Sequence, residues 1–313
     1  MLSTLSIVLP VFALILAGWL ARRLGVLGPH ATGEINRFVV YLALPALLFD
    51  VVAHAEWADL WQPGFIAVFG SSTLLAFVAT LVLRLHGRRP LADAAIDGLN
   101  ASYANTGYIG FPLALMAFGH DALAPTTVAT IFTVCILFAI AIVLIETGLQ
   151  TEKRPAHLAI KVMRSLIRNP LLVAPVLGAL VPLSGASLAA PIEAFLKLLG
   201  GAASPCALVA LGLFLAQTKA AEERDIASTA VLVGIKLIVQ PLLAWLLAVF
   251  VFKLPPLLTH TSVLLAALPT GTGPFMLAEF YRREAAVTSR AILVSTIIAT
   301  ITLSAYLAVA ERL

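Results

Sequence analysis

Asn105 to Pro112 reads NTGYIGFP, in the middle of an otherwise apolar stretch. Glycine, proline and asparagine are poor formers of a helix interior, and proline also removes a backbone N–H. Whether this stretch meets water or lipid decides how the chain folds.

The composition answers for lipid. Of 313 residues, 61% are hydrophobic and 12% charged, and the mean hydropathy is +1.02. A soluble domain carries about a quarter charged residues. Apolar runs of about twenty residues recur along the whole chain, as membrane-spanning helices require. The reading is an all-α integral membrane protein with ten spans, near 3–24, 34–53, 63–85, 93–118, 124–148, 169–186, 190–217, 227–252, 258–281 and 288–309. The first run has no basic residue ahead of it and Arg22-Arg23 behind it, the reverse of a secretory leader, so it is expected to be retained.

Basic residues set the orientation. Fifteen of the twenty Lys and Arg fall in loops after odd-numbered spans, Lys253 and Arg312 lie on the other side, and Arg37, Lys197 and Lys236 lie within spans. Cytoplasmic loops carry the Lys/Arg excess, so both termini are expected outside an inner, cell membrane. The net charge of +4 therefore reports topology and gives no reason to expect nucleic acid as a partner. Cys135 and Cys206 lie in apolar segments and form no disulfide framework or metal site.

The halves resemble each other. Leu44-Pro45-Ala46-Leu47-Leu48 parallels Ser204-Pro205-Cys206-Ala207-Leu208, and NTGYIGFPLAL in span 4 parallels PTGTGPFML (Pro269 to Leu277) in span 9. The intervals from Pro45 to Pro112 and from Pro205 to Pro274 differ by two residues. A repeat of five spans inverts its second copy. The expected organisation is a first five-helix repeat over 1–148, a basic cytoplasmic linker over 149–168 and an inverted second repeat over 169–313.

Irregular backbone deep in a membrane survives only when buried in protein or lining a wet cavity. Matching broken spans in inverted repeats point to a substrate site near the midplane. Pro112 and Pro274 each suit the first turn of a second half-helix, whose free N–H groups and positive dipole end would face the protein centre. With Asn105, Thr106, Thr270 and Thr272, the two ends make a site for a small anion. Gly107, Gly110, Gly271 and Gly273 would let backbone approach it, and Tyr108 and Phe111 would pack on its apolar part. The plainer alternative is two kinks that only shape the bundle.

Charged groups within spans are functional candidates by default. Asp50 is a candidate site for a coupling proton or cation, or a solvated interfacial acid beside His54, Glu56 and Asp59. Lys236 is expected to snorkel to the surface or to form a structural pair. Lys197, Glu146 and Glu279 read as interfacial, and Gln240 as a cap on a local break or a cavity residue. HAEWADLW (His54 to Trp61) reads as an aromatic belt at the membrane edge, with no metal. No cofactor is expected.

NTGYIGFPLAL, ALPTGTGPFMLAEFY, ALPALLF and KLIVQPLLAW (Lys236 to Trp245) together resemble the auxin efflux carrier family, in its bacterial malonate and malate permease branch. The resemblance covers essentially the whole chain. It implies a ten-helix inverted repeat with a scaffold part and a transport part, crossing at the broken fourth and ninth helices beside an anion site. Asn105, Gly107 and Pro112 would form one crossing strand, and Thr270, Gly271, Gly273 and Pro274 the other. Asp50 lies in the second helix, where relatives of the fold carry an acid that handles protons or cations. Plant carriers have Asn at both crossings, whereas this chain has Thr270 and Thr272 at the second, which argues against auxin itself. The long cytoplasmic loop of plant members is absent too.

The leading expectation is a carrier of small organic anions in the bilayer, with a homodimer left open. A sodium-coupled symporter of the bile-acid type, or a channel or sensor with the same fold, stands behind it. An enzyme is not expected: no two acids face each other in a span, and no nucleophile sits beside a His.

Overall fold

In the computed structural model, which describes residues 2–54, 60–150, 155–185, 187–217 and 223–310, proline accounts for three of the helix irregularities. Wide π-type turns at Val39–Ala43, Thr106–Gly110 and Ile235–Val239 each end two residues before a proline, at Pro45, Pro112 and Pro241. A proline ring clashes with the carbonyl four residues back and donates no bond, and a π turn relieves both by widening the ladder.

The elements are α1 (Leu2–Arg23), α2 (Ala31–Ala53), α3 (Pro63–His86), α4 (Leu91–Asn100), α5 (Thr106–Phe118), α6 (His120–Leu149) and α7 (Pro155–Arg168). They continue with α8 (Pro170–Ser184), α9 (Ala190–Leu215), α10 (Asp225–Val251), α11 (Pro256–Ala266), α12 (Gly273–Phe280) and α13 (Ala286–Ala310). Six of them, α2, α3, α6, α9, α10 and α13, are long and apolar enough to cross a bilayer, and α7 with α8 is a pair bent by 63°. Among the described residues no strand forms; a single antiparallel bridge joins Ala104 to Thr270. Large apolar side chains such as Leu16, Leu180, Ile238 and Ile301 cover the outside of the bundle, a surface suited to acyl chains.

The helices pack as two groups. In the first, α1 lies on α9, and α2 on α8 and α9. Their closest approach depends on glycine: a Cβ on Gly18 would stand 2.1 Å from the Val209 carbonyl oxygen, and one on Gly212 1.9 Å from that of Ile15. Small residues at such contacts drive helix association in lipid, where no hydrophobic force separates helices from solvent. In the second group α4 packs on α3 and α6, and α10 on α11, α13 and α3. Phe65, Phe69, Phe77 and Phe138 fill its interior.

One end of this second group is held by charge. Asp97 is buried between the Nε atoms of Arg84 at 3.0 Å and Arg89 at 2.9 Å. Arg89 also reaches Glu284 at 2.9 Å, Arg283 forks onto Asp93, and Arg290 meets Asp225 at 2.9 Å. Asp93 holds the Arg283 guanidinium above its already high range. Acids of α4 and α10 thus pair with bases at the end of α3, at the start of α13 and in the loops beside them.

Candidate functional site

Two interruptions in the backbone meet in the interior. The first, 101–105, separates α4 from α5; the second, 267–272, separates α11 from α12. The Asn105 N–H donates to the Pro269 carbonyl at 2.9 Å and the Gly271 N–H to that of Tyr103 at 3.0 Å, so each break satisfies the other. That resolves the helix-breaking composition of both segments. Backbone that lipid cannot pair is paired across the crossing.

Both helices leaving the crossing begin there. In α5 the first helical bonds run from Ile109 and Gly110 to the Asn105 carbonyl, at 3.2 and 3.1 Å. The N–H groups of Gly107 and Tyr108 lie ahead of them, in the unpaired first turn. In α12 the first such bond is Met276 N–H to the Thr272 carbonyl, 3.1 Å. Pro274 occupies the first turn of α12, as expected. Pro112 likewise stands in the first turn of the α-helical part of α5, Phe111–Phe118, which follows the π turn Thr106–Gly110.

A cavity of about 270 Å³ opens beside the crossing, at the boundary between the two helix groups. Asn105, Thr106, Gly107, Tyr108, Gly271 and Thr272 line it from one side, with Phe111. The remaining candidates lie behind the wall. Gly110 faces Leu268, where a Cβ would stand 3.1 Å from its Cδ1. Thr270 donates its hydroxyl to the Asn100 carbonyl at 2.7 Å and its N–H to Ser295 Oγ at 3.1 Å. Gly273 gives room to the Tyr103 ring, and neither Pro112 nor Pro274 reaches the cavity.

The opposite wall is what the sequence did not show. Leu44, Leu47 and Val51 of α2, with Gly200, Gly201 and Ser204 of α9, close the cavity from the first group. Tyr103 and Thr130 complete it. The Leu44-Pro45 and Ser204-Pro205 motifs, singled out together as part of the repeat, were the available signals for this wall. Among the described lining residues none is charged. The Thr106 hydroxyl is buried without a partner, and the Asn105 side chain is half-buried at the edge of the cavity.

A second, more polar cavity of about 600 Å³ lies on the same boundary, bordered by Thr32, Asn36, Tyr41, Gln217, Glu279 and Arg282. Between the two, Asn36 Nδ2 donates to the Met276 carbonyl at 3.2 Å. Phe214 meets Phe275 at 5.3 Å between ring centroids, and Tyr41 meets Phe280 at 5.6 Å. These contacts join α2 and α9 to α12.

Among the other charged candidates, Lys236 sits elsewhere than expected. Lys236 does not snorkel: it is fully buried, and its Nζ donates to the Ala266 carbonyl at 2.7 Å, at the last turn of α11. Gln240, one turn on, donates to Thr73 Oγ1 at 3.1 Å and to the Ser102 carbonyl at 3.3 Å. Both brace the back of the crossing. Glu146, in the last turn of α6, is buried and accepts from the Tyr281 hydroxyl at 2.8 Å. Glu279 borders the larger cavity, and Lys197 pairs with Glu193. Asp50 lies outside the lining residues, with its carboxylate 3.0 Å from His54 Nδ1. Residues 55–59, with the rest of the aromatic-belt motif, lie outside the described residues, as do Lys153, Arg154, Lys219 and Arg312.

The family model for membrane transport proteins matches residues 4–307. This chain belongs to that family, which includes the auxin efflux carriers. It is 31% identical to a Rhizobium meliloti protein described as a "putative malonate transporter", over 96% of this chain and 94% of that one. It is 27% identical to a transporter of Methanothermobacter thermautotrophicus, over 95% of each chain. Auxin efflux carrier component 8 of Arabidopsis thaliana is 22% identical, over 96% of this chain and 95% of the plant protein. The chain is thus a membrane transporter and not an enzyme.

Proposed function

We propose that this transporter is a secondary carrier of small organic anions, with carboxylates such as malonate or malate as the substrate class. The observation that carries this reading is the uncharged cavity at the crossing. Two helices start at its wall, and unpaired N–H groups with the positive ends of two helix dipoles attract an anion there without a cationic side chain. Apolar walls from α2, Tyr108 and Phe111 suit a short carbon chain. The Rhizobium relative's name points to the same chemistry.

The wider architecture belongs to this proposal. We read the helices as ten spans in two inverted repeats, α4–α5 and α11–α12 being the broken span of each. The antiparallel sense of the Ala104–Thr270 bridge supports the inversion. The Lys/Arg asymmetry supports an orientation with the Arg84–Arg89 end and the larger cavity inside, and both termini outside an inner membrane. In this reading the crossing group moves against the α1, α2, α8 and α9 group, exposing the site to each side in turn. Asp50 lies off the cavity and paired with His54, which favours proton or voltage coupling over a sodium ion held beside the substrate.

The test is flux of labelled malonate and malate in proteoliposomes, with pH, sodium and voltage gradients imposed singly. Saturable flux that responds to pH or voltage and ignores sodium is expected. Flux that requires sodium would replace this reading with a symporter. Asn105→Ala should insert and melt like the parent yet lose saturable uptake; unchanged affinity in that variant would move the site away from the crossing.

A further inference from the structure

Helix α7 is unlike the helices around it. Its sequence, PAHLAIKVMRSLIR, contains no acidic residue. It meets α8 through a 63° bend, so the two cannot both stand along the membrane normal. Ile160, Met163 and Ile167 recur at the spacing of one helical face and are 66%, 56% and 66% exposed. Arg164 and Arg168, one position further along each turn, are exposed beside that stripe. The five side chains line one shallow groove of about 490 Å³. On another face Leu166 packs against the core.

We infer that α7 lies in the plane of the membrane surface and binds anionic phospholipid headgroups through Arg164 and Arg168, with Ile160, Met163 and Ile167 seated among the acyl chains. A helix with an apolar stripe and a basic flank takes this position because the stripe leaves water while the cations meet lipid phosphates. Arginine suits the arrangement, since its stem lies along apolar surface and its planar head forks onto phosphate oxygens. The absence of acid along α7 leaves nothing to repel the headgroups. A stripe of this kind left in water would invite aggregation; beside a bilayer it is a seat.

The position gives this contact a role. α7 joins α6, in the crossing group, to α8, in the other group. A surface-bound α7 holds the connection between the two groups at a fixed depth while they shift. The inference rests only on the chain being membrane-embedded, and it stands whatever the substrate is.

The test uses full-length protein in nanodiscs, in a Cys135→Ala/Cys206→Ala background, with an environment-sensitive fluorophore on Met163→Cys. The discs contain phosphatidylcholine alone, or with phosphatidylglycerol, and brominated acyl chains serve as quenchers. Blue-shifted emission and quenching several-fold stronger in the anionic discs are expected. Arg164→Gln/Arg168→Gln should abolish that difference, and Arg164→Lys/Arg168→Lys should keep most of it. A label that stays in water in both discs overturns the inference. So does quenching that ignores lipid charge and both arginines, or a label shielded by cross-linking to a second copy without lipid quenching.

Discussion

Gly107 and Gly273 flank the crossing and ask opposite things of a missing side chain. A methyl group on Gly107 would meet nothing within 4 Å, whereas one on Gly273 would stand 2.6 Å from Tyr103 Cζ. Gly107→Ala should therefore melt like the parent in detergent and lose affinity in uptake, because the methyl projects toward the cavity. Gly273→Ala should lower the melting temperature, since Tyr103 must move and the bridge beside it with it. Equal melting of the two variants would show that the crossing is not packed as described. Lys236 supplies a second test at this scale. Its ammonium sits at the C-terminal end of α11, where the helix dipole favours a cation, and it caps a buried carbonyl. Lys236→Met leaves the Ala266 carbonyl unpaired and should cost about 1–3 kcal/mol. Thermal unfolding reads that loss; an unchanged midpoint would make the contact dispensable. No sequence pattern separates a lysine that snorkels from one that caps the end of the next helix, which is why the depth of Lys236 was not legible. Nor was the use of the Thr270 hydroxyl on Asn100, because that partner is 170 residues distant.

At the scale of elements, the breaks were legible and the walls were not. Glycine and proline act on the backbone within a turn of themselves, so NTGYIGFP and PTGTGPF announce interrupted helices wherever they occur. Pro112 was legible as the first turn of an α-helix, while the π turn Thr106–Gly110 ahead of it was not. Gly200, Gly201 and Leu47 are ordinary residues of apolar helices, and only the packing of α2 on α9 makes them the far wall. The charged end of α3 and α4 carries the prediction here. Asp97 is 2% exposed and faces two guanidinium groups. Removing one member of a buried ion network leaves the others uncompensated, so Asp97→Ala should destabilise the protein by about 3 kcal/mol. Denaturation of the purified protein in detergent measures this, and a loss well under 1 kcal/mol would mean the arginines find water instead.

For the whole molecule, the proposed function makes the boundary between the two helix groups the surface on which transport depends. The cavity at the crossing and the larger polar cavity both lie on it, and the Asn36–Met276 hydrogen bond and two aromatic contacts separate them. Few polar bonds tie the groups together; among the described residues these include Asn36 to Met276 and Asn169 to Tyr281. Within the crossing group, by contrast, ion pairs and buried side-chain bonds are many, so each group is suited to move as a unit while the boundary opens. In that proposal the Tyr41–Phe280 contact belongs to one of two states, and a covalent bridge across it should trap that state. Tyr41 and Phe280 are the pair to bridge, because their rings stand 5.6 Å apart and Tyr41 is open to reagent. Tyr41→Cys/Phe280→Cys, made without the native cysteines and joined by a short bifunctional thiol reagent, should transport before bridging and stop after it. Each single variant treated in the same way should continue. Undiminished flux through the bridged protein would show that substrate does not cross by separation of α2 from α12, and the moving boundary would have to be sought elsewhere in the fold.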